Sequence, residues 1–178
     1  MGVDLARYND YTVISVISLN TFEQVYLDRF NQMDWNLQKA RIELAYYKFG
    51  RPKGYIDATG IGDPVVFDLN ARGVALEPVK FTEAIRKDLL TNLSLKMEQR
   101  KVRLLDNPIL RDELGYFQYE VSDKGKLRVK VPDQLHDDTV FATALAAWEL
   151  PNNPIPLRQM YRPNQTAGVT FFYPEIGL

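Results

Sequence analysis

The chain has 178 residues, 46% of them apolar and 25% charged, with a net charge of −1. That length allows one domain with a sizeable core, and the composition excludes disorder. With no Cys and one His, neither disulfides nor thiolate or multi-imidazole zinc sites are available, so oxygen ligands are the main option for any metal. A near-zero net charge counts mildly against a dedicated nucleic-acid binder, but not against a nuclease whose carboxylates offset its basic residues. No apolar stretch is long enough to span a bilayer and no signal peptide is visible, which sets the expectation of a cytosolic protein. The first strand begins almost at the start, which fits a domain excised from a longer protein with an added start Met.

Gly2–Arg7 and Thr12–Leu19 are β-branched apolar runs around Tyr8-Asn9-Asp10-Tyr11, a hairpin signal because Asn and Asp tolerate positive φ. Glu23–Phe30 reads as a third antiparallel strand. Asp34 then caps a helix whose predicted inner face is Leu37, Ala40, Leu44 and Tyr47, stopped by Gly50 and Pro52. Gly54–Asp57 is a short strand, Asp63-Pro64 opens the next helix with Asp63 as its cap, and Gly73–Pro78 is another strand. Thr82–Gln99 is an amphipathic helix with Ile85, Leu89, Leu93 and Met97 inward and Arg86, Lys87 and Lys96 off that stripe. Val102–Leu105 reads as a strand. Tyr116–Val121 and Lys126–Val131 form a hairpin, and Asp138–Leu150 is the last helix, with Phe141, Ala144, Leu145 and Trp148 inward. Residues 1–150 thus read as an α/β domain with a mixed sheet, and 151–178, rich in Pro, Asn and aromatics, as an extended arm on its surface or a lead to a neighbouring domain.

Three acids stand out. Asp4 lies inside an apolar strand, Asp57 ends another, and Asp137-Asp138 open the last helix. An unpaired buried charge costs several kcal/mol, on the order of what a divalent cation could offset, and Mg²⁺ prefers carboxylate oxygens. Taken singly, each acid has a plainer reading. Asp137 or Asp138 is an N-cap, Asp57 bonds the Gly60-Ile61-Gly62 backbone, and Asp4 pairs with Arg7 or another cation. One metal site replaces three separate explanations. His136 beside the acids is a helper in proton transfer or metal binding, or simply a surface residue.

Lys126, Arg128 and Lys130 alternate with Leu127, Val129 and Val131, so one face of that strand is basic. With Lys124 they make a ribbon able to track a DNA backbone, or a sheet edge protected by charge. The Gly60–Gly62 loop lacks the Gly-Lys-Ser/Thr of a phosphate-binding loop, so ATP hydrolysis is not expected.

The opening Gly-Val-Asp-Leu-Ala-Arg-Tyr-Asn-Asp-Tyr-Thr resembles the first strand of the nuclease domain of large terminase subunits from tailed phages. Tyr-Ile-Asp-Ala-Thr-Gly-Ile-Gly-Asp at Tyr55–Asp63 and His-Asp-Asp-Thr at His136–Thr139 are similar to later motifs of that family. The resemblance implies an RNase H-like mixed sheet flanked by helices, with an added hairpin, and a RuvC-type endonuclease that cuts concatemeric viral DNA during packaging. It implies Asp4, Asp57 and one of Asp137 or Asp138, with Asp138 preferred, as ligands of two Mg²⁺ or Mn²⁺ ions, and Asp137 and Asp10 as accessory acids. Two ions roughly 3.5–4 Å apart would activate a water and hold the leaving 3′ oxygen, giving 5′-phosphate ends. Implied partners are double-stranded DNA, a preceding ATPase domain, the portal and the small terminase, in the host cell cytoplasm with no membrane. The competing readings are a RuvC-type junction resolvase and a non-catalytic or ATPase-type RNase H-like domain.

Overall fold

The computed structural model describes residues 1–6, 10–60, 62–121, 127–130, 136–153 and 171–172. In chain order its elements are β1 Gly2–Asp4, β2 Thr12–Ile17, β3 Gln24–Phe30, α1 Trp35–Lys48, β4 Tyr55–Asp57, α2 Gly62–Ala71 and β5 Glu77–Val79. There follow α3 Glu83–Glu98, β6 Leu104–Leu105, α4 Pro108–Tyr116, β7 Gln118–Val121, β8 Leu127–Lys130, α5 Asp138–Ala147 and β9 Phe171–Phe172.

Five strands form one sheet in the order β3-β2-β1-β4-β5. The first three are antiparallel, as expected from the hairpin signal, and β1, β4 and β5 run parallel. Parallel neighbours need long crossovers, and α1 and α2 supply them. The sheet is therefore mixed, with β1 at the change of direction. Beyond β3, Glu23 bridges Arg103 just before β6, and β9 pairs with β6.

Two cores form, one on each face. Helices α1 and α2 pack Ile42, Ala45, Tyr46, Val65 and Leu69 against Val3, Ile14 and Ile56. On the other face α3, α4 and α5 bring Leu89, Leu93, Leu110, Phe141 and Leu145 onto Ile17 and Tyr55. Side chains alternate faces along a strand. Val3 and Ile56 belong to the α1–α2 core, so Asp4 and Asp57, one residue on, both turn to the α5 face.

Gly2 explains how close α5 can come. A Cβ there would stand 2.1 Å from the Ala142 carbonyl oxygen and 2.4 Å from the Ala146 nitrogen, so only glycine lets helix and strand meet. The alanines of α5 serve the same approach. Polar groups fix the remaining geometry. Gln24 is buried and donates to Ser15 Oγ (2.8 Å) and Thr143 Oγ1 (3.1 Å), while its own oxygen accepts from the Leu105 amide (3.1 Å). That one side chain ties β2, β3, α5 and β6 together.

The structure corrects several expectations. The first strand stops at Asp4 rather than Arg7, and Arg7 itself lies outside the described residues. Strand β5 is Glu77–Val79, later and shorter than 73–78. Asp34 does cap α1, accepting from the Asn36 and Leu37 amides, but the inner face is the other one. Leu37 is 55% and Leu44 70% exposed, while Gln38, Lys39, Ile42, Ala45 and Tyr46 are buried. Lys39 is accommodated by an ion pair with Asp68 of α2, and Gln38 by bonds to Thr12 and the Met33 carbonyl. Helix α2 starts at Gly62, which places Asp63 in the first turn and not at the cap, where it pairs with Lys80 at 3.0 Å. Helix α4 was not anticipated. The expected stripe of α3 holds, with Leu89, Leu93 and Met97 buried. The last helix ends at Ala147, and Trp148 is only half-buried, packing on Tyr55.

Candidate metal centre

Asp4 and Asp57 end adjacent parallel strands whose register pairs Val3 with Ile56, so the two carboxyls lie side by side at the same end of the sheet. Ligands in α/β sheets gather at the carboxyl ends of strands, and β1 is where strand direction changes. Continuing the register across the sheet, Arg29, Val13 and Asp4 form one row on the α5 face. Asp138 enters from above, in the first turn of α5.

The charges of these acids bear on one another. Burial holds the Asp4 carboxyl well above its ordinary range, and Asp138, Asp57 and Asp137 push it further, with Arg86 opposing. Asp138 is pushed up to about 6, first by burial and then by Glu113, Asp10 and Asp137. Its Oδ2 is buried and accepts no hydrogen bond. Native proteins rarely leave such an oxygen unsatisfied, and a missing cation is one standard reason. Among the described residues, no three acidic or imidazole groups already converge closely enough to hold an ion.

The plainer readings fare unequally. Asp57 does make a local turn, its Oδ1 accepting from the Thr59 amide (2.8 Å) and hydroxyl (2.5 Å). That engages one oxygen and orients the other. Asp137 occupies the N-cap position of α5 but makes no capping bond. It faces Arg86 instead, at 2.5 Å, and the Arg86 guanidinium lies 3.9 Å over the Phe141 ring. Asp137 and Asp138 thus differ, the first paired with Arg86 and the second making no hydrogen bond through its buried Oδ2.

His136 sits among the acids. Its Nδ1 is 3.4 Å from Asp10 Oδ1 and 3.7 Å from Asp138 Oδ2, and its ring meets Tyr11 edge-on. Asp10 is exposed at the rim. Strands β7 and β8 pair antiparallel as expected, with Glu120 opposite Arg128 and Gln118 opposite Lys130, but the first begins at Gln118, Tyr116 belonging to α4, and the expected turn lies outside the described residues. Lys124 and Lys126 lie outside the described residues.

Sequence reasoning missed Glu113. It is buried on α4, and its Oε2 accepts from the Thr139 amide (2.8 Å), the Thr139 hydroxyl and the Val140 amide (3.3 Å). Arg29 stands 3.8 Å from its other oxygen and covers the Tyr11 ring at 3.2 Å. The available signal was Asn107-Pro108, a cap followed by Pro at the helix start.

Residues 1–149 match the family model described as Terminase RNaseH-like domain. The large terminase subunit of Thermus virus P23-45 is 31% identical over 147 residues, covering 82% of this chain but 30% of that protein. The chain therefore spans less than a third of the length of that relative. The crystal structure of the large terminase nuclease from thermophilic phage G20c superposes with a TM-score of 0.75 at 29% identity, covering 84% of this chain and 81% of that one. The same nuclease with bound magnesium also gives 0.75, at 30% identity, covering 83% and 79%. With a fold that superposes on these nucleases and a family match over residues 1–149, this chain belongs to the terminase RNase H-like domain family.

Proposed function

We propose that this chain is a metal-dependent endonuclease domain that cuts concatemeric duplex DNA during viral genome packaging. The observation that carries the reading is the buried Oδ2 of Asp138, which accepts no hydrogen bond, on the same sheet face as Asp4 and Asp57. Asp4, Asp57 and Asp138 would hold divalent cations, Mg²⁺ or Mn²⁺, since an all-oxygen donor set suits hard ions. Magnesium in the similar G20c nuclease supports this choice. Two such ions, when bound, supply an activated water and a counter-charge for the departing 3′ oxygen.

The chain's own residues do the rest. Strand ends fix Asp4 and Asp57, and the Thr59 bonds orient the latter. Arg86 is half-exposed beside Asp137 and presents positive charge where a phosphate would arrive. His136, between Asp10 and Asp138, is placed to take up or deliver a proton. The β7–β8 ribbon, with Lys124, Lys126, Arg128 and Lys130, would run along the DNA backbone. Residues 1–150 form the nuclease unit in this reading and 151–178 an arm. An ATPase domain, the portal and the small terminase would act with it in the host cytoplasm. No helix among the described residues is long and apolar enough to cross a membrane.

Plasmid cleavage tests this directly. Mg²⁺ or Mn²⁺ should support cutting, EDTA should abolish it, and Asp4→Asn, Asp57→Asn and Asp138→Asn should each lower the rate by orders of magnitude without unfolding the domain. A variant that cuts at the parent rate removes its residue from the site. Cutting in excess chelator overturns the metal mechanism. A preference for four-way junctions over duplex would return the resolvase reading, and no cutting at all the non-catalytic one.

A further inference from the structure

The start of α5 carries an unusual division of labour. The first turn of a helix exposes amides with no partner inside the helix, and the N-cap side chain ordinarily accepts from them. Asp137 stands at that position and makes no such bond, because its carboxylate is turned to Arg86. The Thr139 and Val140 amides are taken up instead by Glu113, 26 residues away on α4. Helix α4 is itself fixed by Asn107, which caps it at the Leu110 amide, and by the fully buried Leu110.

Glu113 also looks the other way. Its Oε1 is buried without a hydrogen-bond partner and lies 3.8 Å from Arg29 Nη2. Arg29 covers Tyr11, Tyr11 meets His136, and His136 stands beside Asp10 and Asp138. Glu113 therefore touches the helix that carries Asp138 and, through Arg29, the residues that flank it.

We propose that Glu113 is a positioning residue for the acidic site, a cap supplied from a separate helix. Lending its oxygen to α5 leaves Asp137 for Arg86 and Asp138 for the cation, and fixes the first turn that carries Asp138 on the sheet face of Asp4 and Asp57. A cap drawn from Asp137 would turn that carboxylate back onto the helix. The inference rests on the metal-site reading above. Outer contacts of this kind typically change metal affinity by about 10–100-fold when lost.

The test compares Glu113→Gln with Glu113→Ala in the 178-residue chain. Gln keeps a carbonyl oxygen for the two amides, whereas Ala removes it. Three quantities are read: folding by circular dichroism, affinity for Mn²⁺ alone by calorimetry, and amide hydrogen exchange at Thr139 and Val140. Glu113→Ala should stay folded, bind Mn²⁺ about 10–100-fold more weakly and exchange faster at both amides. Glu113→Gln should recover most of both. Should Glu113→Ala not fold, Glu113→Asp, which withdraws the oxygen by one methylene, carries the same expectation. Mn²⁺ binding that is lost in Asp138→Asn but unchanged in folded Glu113→Ala or Glu113→Asp overturns the proposal alone. A parent chain that binds no Mn²⁺ overturns the metal reading, and the proposal with it.

Discussion

Beneath α1 and α2 the sheet is covered by Ile42, Ala45, Val65 and Leu69, and the polar side chains buried there are paired: Gln38 with Thr12, Lys39 with Asp68. On the α5 face the buried acids are Asp4 and Asp57 of the sheet, Asp138 of α5 and Glu113 of α4. Among the described residues the buried side-chain atoms without hydrogen-bond partners are Arg29 Nε, Glu113 Oε1 and Asp138 Oδ2, and all three lie at the α5 face. One face is satisfied in itself. The other keeps polar atoms unbonded, and under the proposed function that difference separates the groups that hold the fold from those that would serve a ligand.

The largest expected effect breaks the satisfied face. Ile42 is fully buried, and Ile42→Ala should cost about 2–5 kcal/mol of stability through the cavity it leaves. Denaturant unfolding measures the loss, and Mn²⁺ affinity of the remaining folded protein should match the parent. A matched fall in both would mean that the two faces are not separable.

A smaller effect of opposite sign belongs to the unsatisfied face. The Asp138 carboxyl has its pKa raised to about 6 in the folded chain, so the folded state holds that proton more tightly than the unfolded one. Its contribution to stability is therefore full below the ordinary carboxylate range, declines as pH rises toward 6 and is flat above. Asp4, Glu113 and Asp137, also raised, act in the same direction. In EDTA, Asp138→Asn should raise stability at pH 7 by an amount on the order of 1–3 kcal/mol, through removal of one buried charge that accepts no hydrogen bond, and flatten the decline of melting temperature between pH 4 and 7. Added Mn²⁺ should stabilise the parent and not the variant. A variant less stable than the parent at pH 7 in EDTA would show that Asp138 is satisfied without a cation.

The acidic pair on β1 and β4 was readable because period-two alternation and an acid inside an apolar run leave few choices. The final helix was readable for a similar reason. Helix α1 was not, since Leu37, Leu44 and Tyr47 fall at the same helical spacing as Ile42, Ala45 and Tyr46 and are no less apolar. The buried stripe is the one that packs Ile42, Ala45 and Tyr46 on the sheet and whose Lys39 reaches Asp68, a contact 29 residues distant that no local pattern contains. Glu113 was hidden likewise, because its role depends on a helix that folds against it from 26 residues away. The smallest expected effect follows from α1. Leu44, 70% exposed, should tolerate Leu44→Gln within about 0.5 kcal/mol, measured by the same unfolding curve. A loss comparable to Ile42→Ala would restore the outer stripe as a packed face.

The absence of a side chain at residue 2 also guards the site against miscounting. A strand that slips by one residue turns every side chain to the opposite face. Slipping β1 would bring Met1 or Val3 to the point where even one carbon meets the Ala142 carbonyl at 2.1 Å. Gly2 thus works as a keyway: α5 seats on β1 in one phase only, and that phase is the one that points Asp4 toward Asp57 and Asp138.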